Sequence, residues 1–163
     1  FALSAQAPIT FDLNKVVDET DRHEDTVDGL NMIITTTDEW SIGDGIGLKV
    51  YDGLYVSSIN GLEMTFRFNK AVRFDGYRVR DLYKLKGDES LTLSVGGVVQ
   101  TTENSFVLGD NDFATSFTVA ADTDIVLRSI NPGGYTGECV TWSALTVTVI
   151  PEPAQEQKYT LVS

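Results

Sequence analysis

Leu62-Glu63-Met64-Thr65-Phe66-Arg67-Phe68 alternates apolar and polar side chains over seven residues without a fault. A strand turns successive side chains to opposite faces, so this run has one face for a core and one for water. The same period recurs on both sides of it. Ile9-Thr10-Phe11-Asp12-Leu13 shows it, as do Leu91 to Val95, Phe113 to Val119 and Trp142 to Val149, the last with a face change near Ala144. Shorter candidates are Met32 to Thr36, Gly47 to Val50, Val72 to Leu82, Val98 to Thr102 and Ile125 to Ser129. No stretch sustains a helical period.

Turn signals separate these runs: Asp28-Gly29, Gly43-Asp44-Gly45, Asn60-Gly61, Gly96-Gly97 and Asn131-Pro132-Gly133-Gly134. Val95-Gly96-Gly97-Val98 reads as a tight hairpin with a two-glycine turn. Val72 and Phe74 share one face, whereas Tyr77 and Val79 share a face of the opposite phase. The change falls at Asp75-Gly76 and predicts a β-bulge. About ten short strands with one apolar face each, and no helix to cover them, must pack sheet on sheet. The expected fold is all-β, a two-sheet β-sandwich of jelly-roll or lectin-like type, with a closed barrel as the alternative. The expected organisation is an N-terminal extension over 1–8, a sandwich over 9–150, and a spacer with a strand-like tail over 151–163.

The chain has 163 residues, a size that suits one domain with its own core. Twelve Lys and Arg stand against 24 Asp and Glu, for a net charge of −12. Phosphate contacts need a cationic surface, so nucleic acid is not an expected partner. One cysteine, Cys139, excludes an intrachain disulfide, and one histidine, His23, excludes a multi-histidine metal site. No apolar run approaches the roughly 18 residues of a membrane span. Charge is uneven: residues 1–63 are net −9, 64–86 net +5 and 87–163 net −8. The basic stretch falls on two consecutive predicted strands, so several of its residues are expected to be neighbours on one outer face. Arg73, Arg78 and Arg80 are its candidate contacts to the acidic loops of a second copy, against the plainer reading of solvated outer-face charge.

Gly45-Ile46-Gly47-Leu48-Lys49-Val50, leading into Ile59-Asn60-Gly61-Leu62-Glu63-Met64-Thr65-Phe66, resembles a pattern of secreted bacterial β-domains of the PEP-CTERM (exosortase-sorted) class. Strands such as Ser90 to Val95 and Ala144 to Val149 follow in that class. The sorting motif then begins, and Val149-Ile150-Pro151-Glu152-Pro153-Ala154 is similar to it. In the class an apolar helix and a basic cluster come next, whereas here Gln155 to Ser163 does. The resemblance implies export, a bacterial cell-surface or matrix location and no catalytic activity. A first residue of Phe1 in place of Met agrees with a processed, secreted chain.

Candidate chemistry is sparse. Asp18 to Gly29 reads as an acidic loop with six carboxylates, and Gly109-Asp110-Asn111-Asp112 as an oxygen-rich turn. Calcium takes six to eight hard oxygens, which makes Asp21, Glu24, Asp25, Asp110 and Asp112 the candidate calcium ligands against solvated loops. Trp142 and Tyr77 are assigned to the core. Trp40, Tyr51 and Tyr55 lie beside glycine-rich turns and are the candidate platform for a sugar ring. There is no G-x-S-x-G and no phosphate-binding glycine motif, so no enzyme is expected.

Phe1-Ala2-Leu3-Ser4-Ala5 alternates like a strand and is cut off by Pro8, while Lys158 to Val162 is strand-like after the Pro-Glu-Pro spacer. Phe1, Leu3 and Ala5, or Tyr159 and Leu161, are therefore candidate donor residues for a neighbour's sheet. The leading expectation is a non-catalytic extracellular structural protein that self-assembles head to tail by terminal-strand exchange. The rival is a calcium-dependent module that binds polysaccharide.

Overall fold

A computed structural model describes residues 6–13, 22–36, 54–57, 63–81, 90–130 and 139–152 of the chain, with 36, 54–57, 80–81, 129–130 and 139–141 described by their backbone. These residues form eleven strands. They are β1 (Ile9–Asp12), β2 (Arg22–Val27), β3 (Leu30–Thr36), β4 (Leu54–Ser57), β5 (Glu63–Phe68), β6 (Val72–Asp81), β7 (Ser90–Val95), β8 (Val98–Glu103), β9 (Gly109–Val119), β10 (Ile125–Ile130) and β11 (Cys139–Val149). Every pairing is antiparallel.

The strands make two sheets. Sheet A has the order β1-β11-β6-β9, with β4 also on β11, and sheet B has the order β2-β3-β5-β10-β7-β8. The pairs β4·β11, β5·β10, β6·β9 and β7·β8 are nested like one long hairpin. Rolling that hairpin up gives the sheets 4-11-6-9 and 5-10-7-8, which is jelly-roll connectivity. The expected β-sandwich is therefore the fold. The β2–β3 hairpin widens sheet B beyond β5, and β1 lines up with β4 along the same side of β11.

The alternating run that set the reading is β5, with Met64, Phe66 and Phe68 buried and Thr65 and Arg67 turned outward. The core lies between the inner faces. Trp142 is fully buried, with its ring 4.6 Å from Tyr77 in its own sheet and 5.2 Å from Phe66 in the other. Phe74 stacks on Phe117, and Phe11 meets Phe68 across the layers.

The irregularities of β6 and β11 fall where the phase of the sequence breaks. The β6 register skips between Phe74 and Gly76 on both sides: against β11 Asp75 is the extra residue, whereas against β9 the extra residue lies on β9, where Thr115 and Ser116 stand opposite Asp75 alone. The β11 register skips between Trp142 and Ala144, with Ser143 as the extra residue. The β7–β8 turn is the two-glycine hairpin, with φ of +56° at Gly96 and +81° at Gly97, both in the region that glycine tolerates best.

Three expectations are corrected. The acidic stretch continues past its start not as a loop but as β2, paired with β3 through a turn at Asp28 and Gly29 with φ of +50° and +75°. Strong hairpin chemistry at the Asp-Gly turn outweighs the low strand propensity of the acids before it. Asp110 to Asp112 are likewise not a turn but the start of β9, facing Arg80 to Arg78 across the ladder. Finally, the basic residues do not share one face. β5 and β6 belong to different sheets, so Arg67 lies outside sheet B while Arg73 and Arg78 lie outside sheet A. Consecutive strands that cross between sheets cannot pool their outer faces.

Candidate functional site

The outer face of sheet A carries the richest side-chain chemistry among the described residues. Two rows run across it, set by register. One is Ala114–Gly76–Thr146–Thr10, and the next is Asp112–Arg78–Ala144–Asp12. Gly76 is small for a packing reason: a Cβ built there would lie 2.6 Å from the Phe113 carbonyl oxygen. With alanines at 114 and 144, the middle of the face has no tall side chain. The result is a depression of about 510 Å³ whose rim includes Thr10, Asp75, Arg78, Asp112 and Thr146.

Each rim group is held by a partner. Arg78 donates from Nε and Nη2 to the two oxygens of Asp112 at 2.7 and 2.9 Å. This guanidinium holds the Asp112 carboxyl below the usual carboxylate range, while Asp112 raises Arg78. Arg78 is about half exposed and Asp112 about two-thirds, so the pair contributes on the order of 0–1 kcal/mol to stability and acts mainly by fixing geometry. Asp75, displaced by the bulge, takes Arg73 on one oxygen and the Thr148 hydroxyl on the other at 2.6 Å. The hydroxyls of Thr10 and Thr146 meet at 3.1 Å.

A smaller depression of about 280 Å³ lies outside sheet B, between Arg22, Ile33, Thr65 and Arg67. Arg67 is tied to Asp124 at 2.7 Å and Arg22 to Glu24 at 2.7 Å. Arg22 and then Asn31 hold Glu24 below the usual carboxylate range. Among the described residues β8 and β9 are end strands of their sheets, opposite the ends formed by β2 and by β1 with β4. Val98 and Val99 on β8 are 63% and 58% exposed, and Val107 and Leu108, just before β9, are 65% and 66% exposed.

The described candidate calcium ligands, Glu24, Asp25, Asp110 and Asp112, do not gather into one group. Glu24 and Asp25 are adjacent in a strand and turn to opposite faces. Asp112 is occupied by Arg78, and the intervening Asn111 is buried, bonding the Val107 amide and carbonyl. Asp21 lies outside the described residues. No group of three His, Cys, Asp or Glu side chains placed for a metal occurs among the described residues.

Arg73 and Arg78 each find an acid in their own chain, and Arg80 is described only by its backbone, opposite Asp110. Trp40 and Tyr51 lie outside the described residues, and Tyr55 is described only as part of β4. Phe1, Leu3, Ala5, Tyr159 and Leu161 also lie outside them. His23, expected in an exposed loop, is a half-buried residue of β2 paired with Ile34. The sheet A depression escaped sequence reasoning because Gly76, Ala114 and Ala144 are far apart in the chain. The only signal for it was the bulge glycine.

No helix long and apolar enough to cross a membrane occurs among the described residues. No protein-family model and no curated protein matches the chain. Among solved structures, the chain is similar to a Podospora anserina GH26-CBM35 β-(1,4)-mannanase, with a TM-score of 0.41 and 12% identity. The match covers 91% of this chain and 29% of that one, so the chain spans under a third of that protein's length. The jelly-roll assignment rests on the strand pairing and not on this likeness.

Proposed function

We propose that the chain is a non-catalytic structural module, exported to a bacterial surface or matrix, that assembles head to tail by lending a terminal strand to its neighbour. The carrying observation is the position of two edges. β1, the first described strand, lies on one side of sheet A, and β9 closes the opposite side. β9 runs for eleven residues, and among the described residues its one ladder neighbour is β6. An exposed edge of that length is a template for a further strand.

The alternating segment Phe1 to Ala5 lies three residues before β1 in the chain. A donor that leaves from one edge and pairs at the other uses two different surfaces. Such a contact is heterologous and repeats without closing, which gives a filament. Pro151 and Glu152, immediately after β11, support the export part of this reading through the PEP-CTERM resemblance.

The test is negative-stain electron microscopy with analytical ultracentrifugation of the full chain and of a variant lacking residues 1–7. Filaments from the full chain and folded monomers from the variant are expected. Monomers from the full chain at every concentration overturn the reading. Filaments that survive this deletion but not removal of residues 155–163 move the donor to Tyr159 and Leu161.

A further inference from the structure

We propose that the depression on the outer face of sheet A is a binding site for a neutral, hydroxyl-rich carbohydrate. Its volume of about 510 Å³ is within the roughly 300–1,000 Å³ of small-molecule sites. Its rim groups are oriented by bonds within the chain, Arg78 to Asp112 and Asp75 to Arg73 and Thr148. Groups already oriented cost less ordering entropy on binding.

The rim keeps hydrogen-bonding capacity of both kinds. A guanidinium has five N–H donors, and Arg78 spends two of them on Asp112. Each carboxylate oxygen can accept more than one bond. The Thr10 and Thr146 hydroxyls share one hydrogen between them, so one hydroxyl hydrogen stays available. Gly76, without a side chain, lets a ligand come close to the sheet between these groups.

A sugar hydroxyl both donates and accepts, so one kind of group satisfies this mixed rim. An apolar ligand would strip water from the remaining Arg78 N–H groups and the spare carboxylate lone pairs and replace none of those bonds. An anionic polymer is disfavoured twice. The rim arginine is already neutralised by Asp112, and the whole chain carries −12. The site differs from the aromatic platform expected at Trp40, Tyr51 and Tyr55. It works through polar groups on a sheet and needs no metal.

The test starts from a carbohydrate array that spans neutral and anionic glycans. Affinity electrophoresis of the full chain follows, in gels that contain the best neutral binder. Retention by a neutral glycan is expected, at least tenfold weaker in Ala114→Trp, which fills the depression, and in Arg78→Gln. Trp40→Ala should retain full binding. Thr146→Val keeps the shape, removes one hydroxyl, and decides the question if Ala114→Trp fails to fold. Binding of anionic glycans only, or of none, overturns the proposal. So does retention that Arg78→Gln and Thr146→Val leave intact while Trp40→Ala abolishes it.

Discussion

The indole N–H of Trp142 donates to the carbonyl of Ala144, two residues on, at 2.7 Å. The bond spans Ser143, the extra residue of the β11 bulge. One side chain therefore both fills the centre of the core and pins the irregularity that lets Trp142 and Leu145 face inward from one strand. Trp142→Phe keeps an aromatic ring but removes volume and the donor. The expected cost is about 1–3 kcal/mol, from the smaller ring and the lost hydrogen bond. Urea unfolding measures it. Amide shifts at Ser143 and Ala144 should move more than those of β7 and β8, which lie at the far flank of sheet B.

Gly76→Ala tests the second bulge. The added methyl would lie 2.6 Å from a backbone oxygen, and a β-ladder cannot yield as a side-chain tip can. Destabilisation of about 1–3 kcal/mol is expected. Ala114→Ser, its neighbour in the same row, should stay within about 0.5 kcal/mol because its side chain is open to water. Parallel thermal melts of the two variants check the contrast.

The Arg78–Asp112 clamp has a pH signature. Arg78 lowers the Asp112 pKa in the folded chain, so the folded state binds fewer protons there than the unfolded state does. The contribution to stability is complete above the ordinary Asp value of about 3.9 and disappears as pH falls through the lowered folded value. Side-chain carboxyl NMR should show Asp112 titrating below the ordinary range in the native protein and returning toward it in Arg78→Gln. A midpoint unchanged by Arg78→Gln would break the link.

How far the sequence could be read follows from the range of each signal. Alternation and glycine turns act over a few residues. Strands such as β5, the β6 bulge, the face change in β11 and the Gly96-Gly97 hairpin were therefore legible, and the sandwich followed from them. Charge patterning misled where the partner lay far away in sequence. Asp112 looked like a turn residue because its partner, Arg78, is 34 positions earlier. Likewise the acids of β2 looked like a solvated loop, although β3 pairs them residue by residue. The sheet A depression depends on four strands meeting in register, which no local pattern encodes.

Tyr77 tests a different kind of inconsistency. Its ring stacks on Trp142, and its buried hydroxyl points toward Thr101 of the opposite sheet. Among the described residues neither hydroxyl completes a hydrogen bond. Burial pushes the phenol well above its ordinary pKa, and nearby Glu103 adds to this against the Thr101 hydroxyl, so the group stays neutral through the physiological range. A buried hydroxyl with no partner has lost its water and gained nothing, a penalty of about 1–3 kcal/mol. Removing it while keeping the ring relieves that penalty and preserves the aromatic contacts. Tyr77→Phe is therefore expected to leave stability unchanged or to raise it by up to about 1 kcal/mol, whereas Tyr77→Ala should cost about 3–5 kcal/mol. Urea midpoints of the two variants check this. A loss above about 1 kcal/mol in Tyr77→Phe would mean that the hydroxyl is bonded in solution.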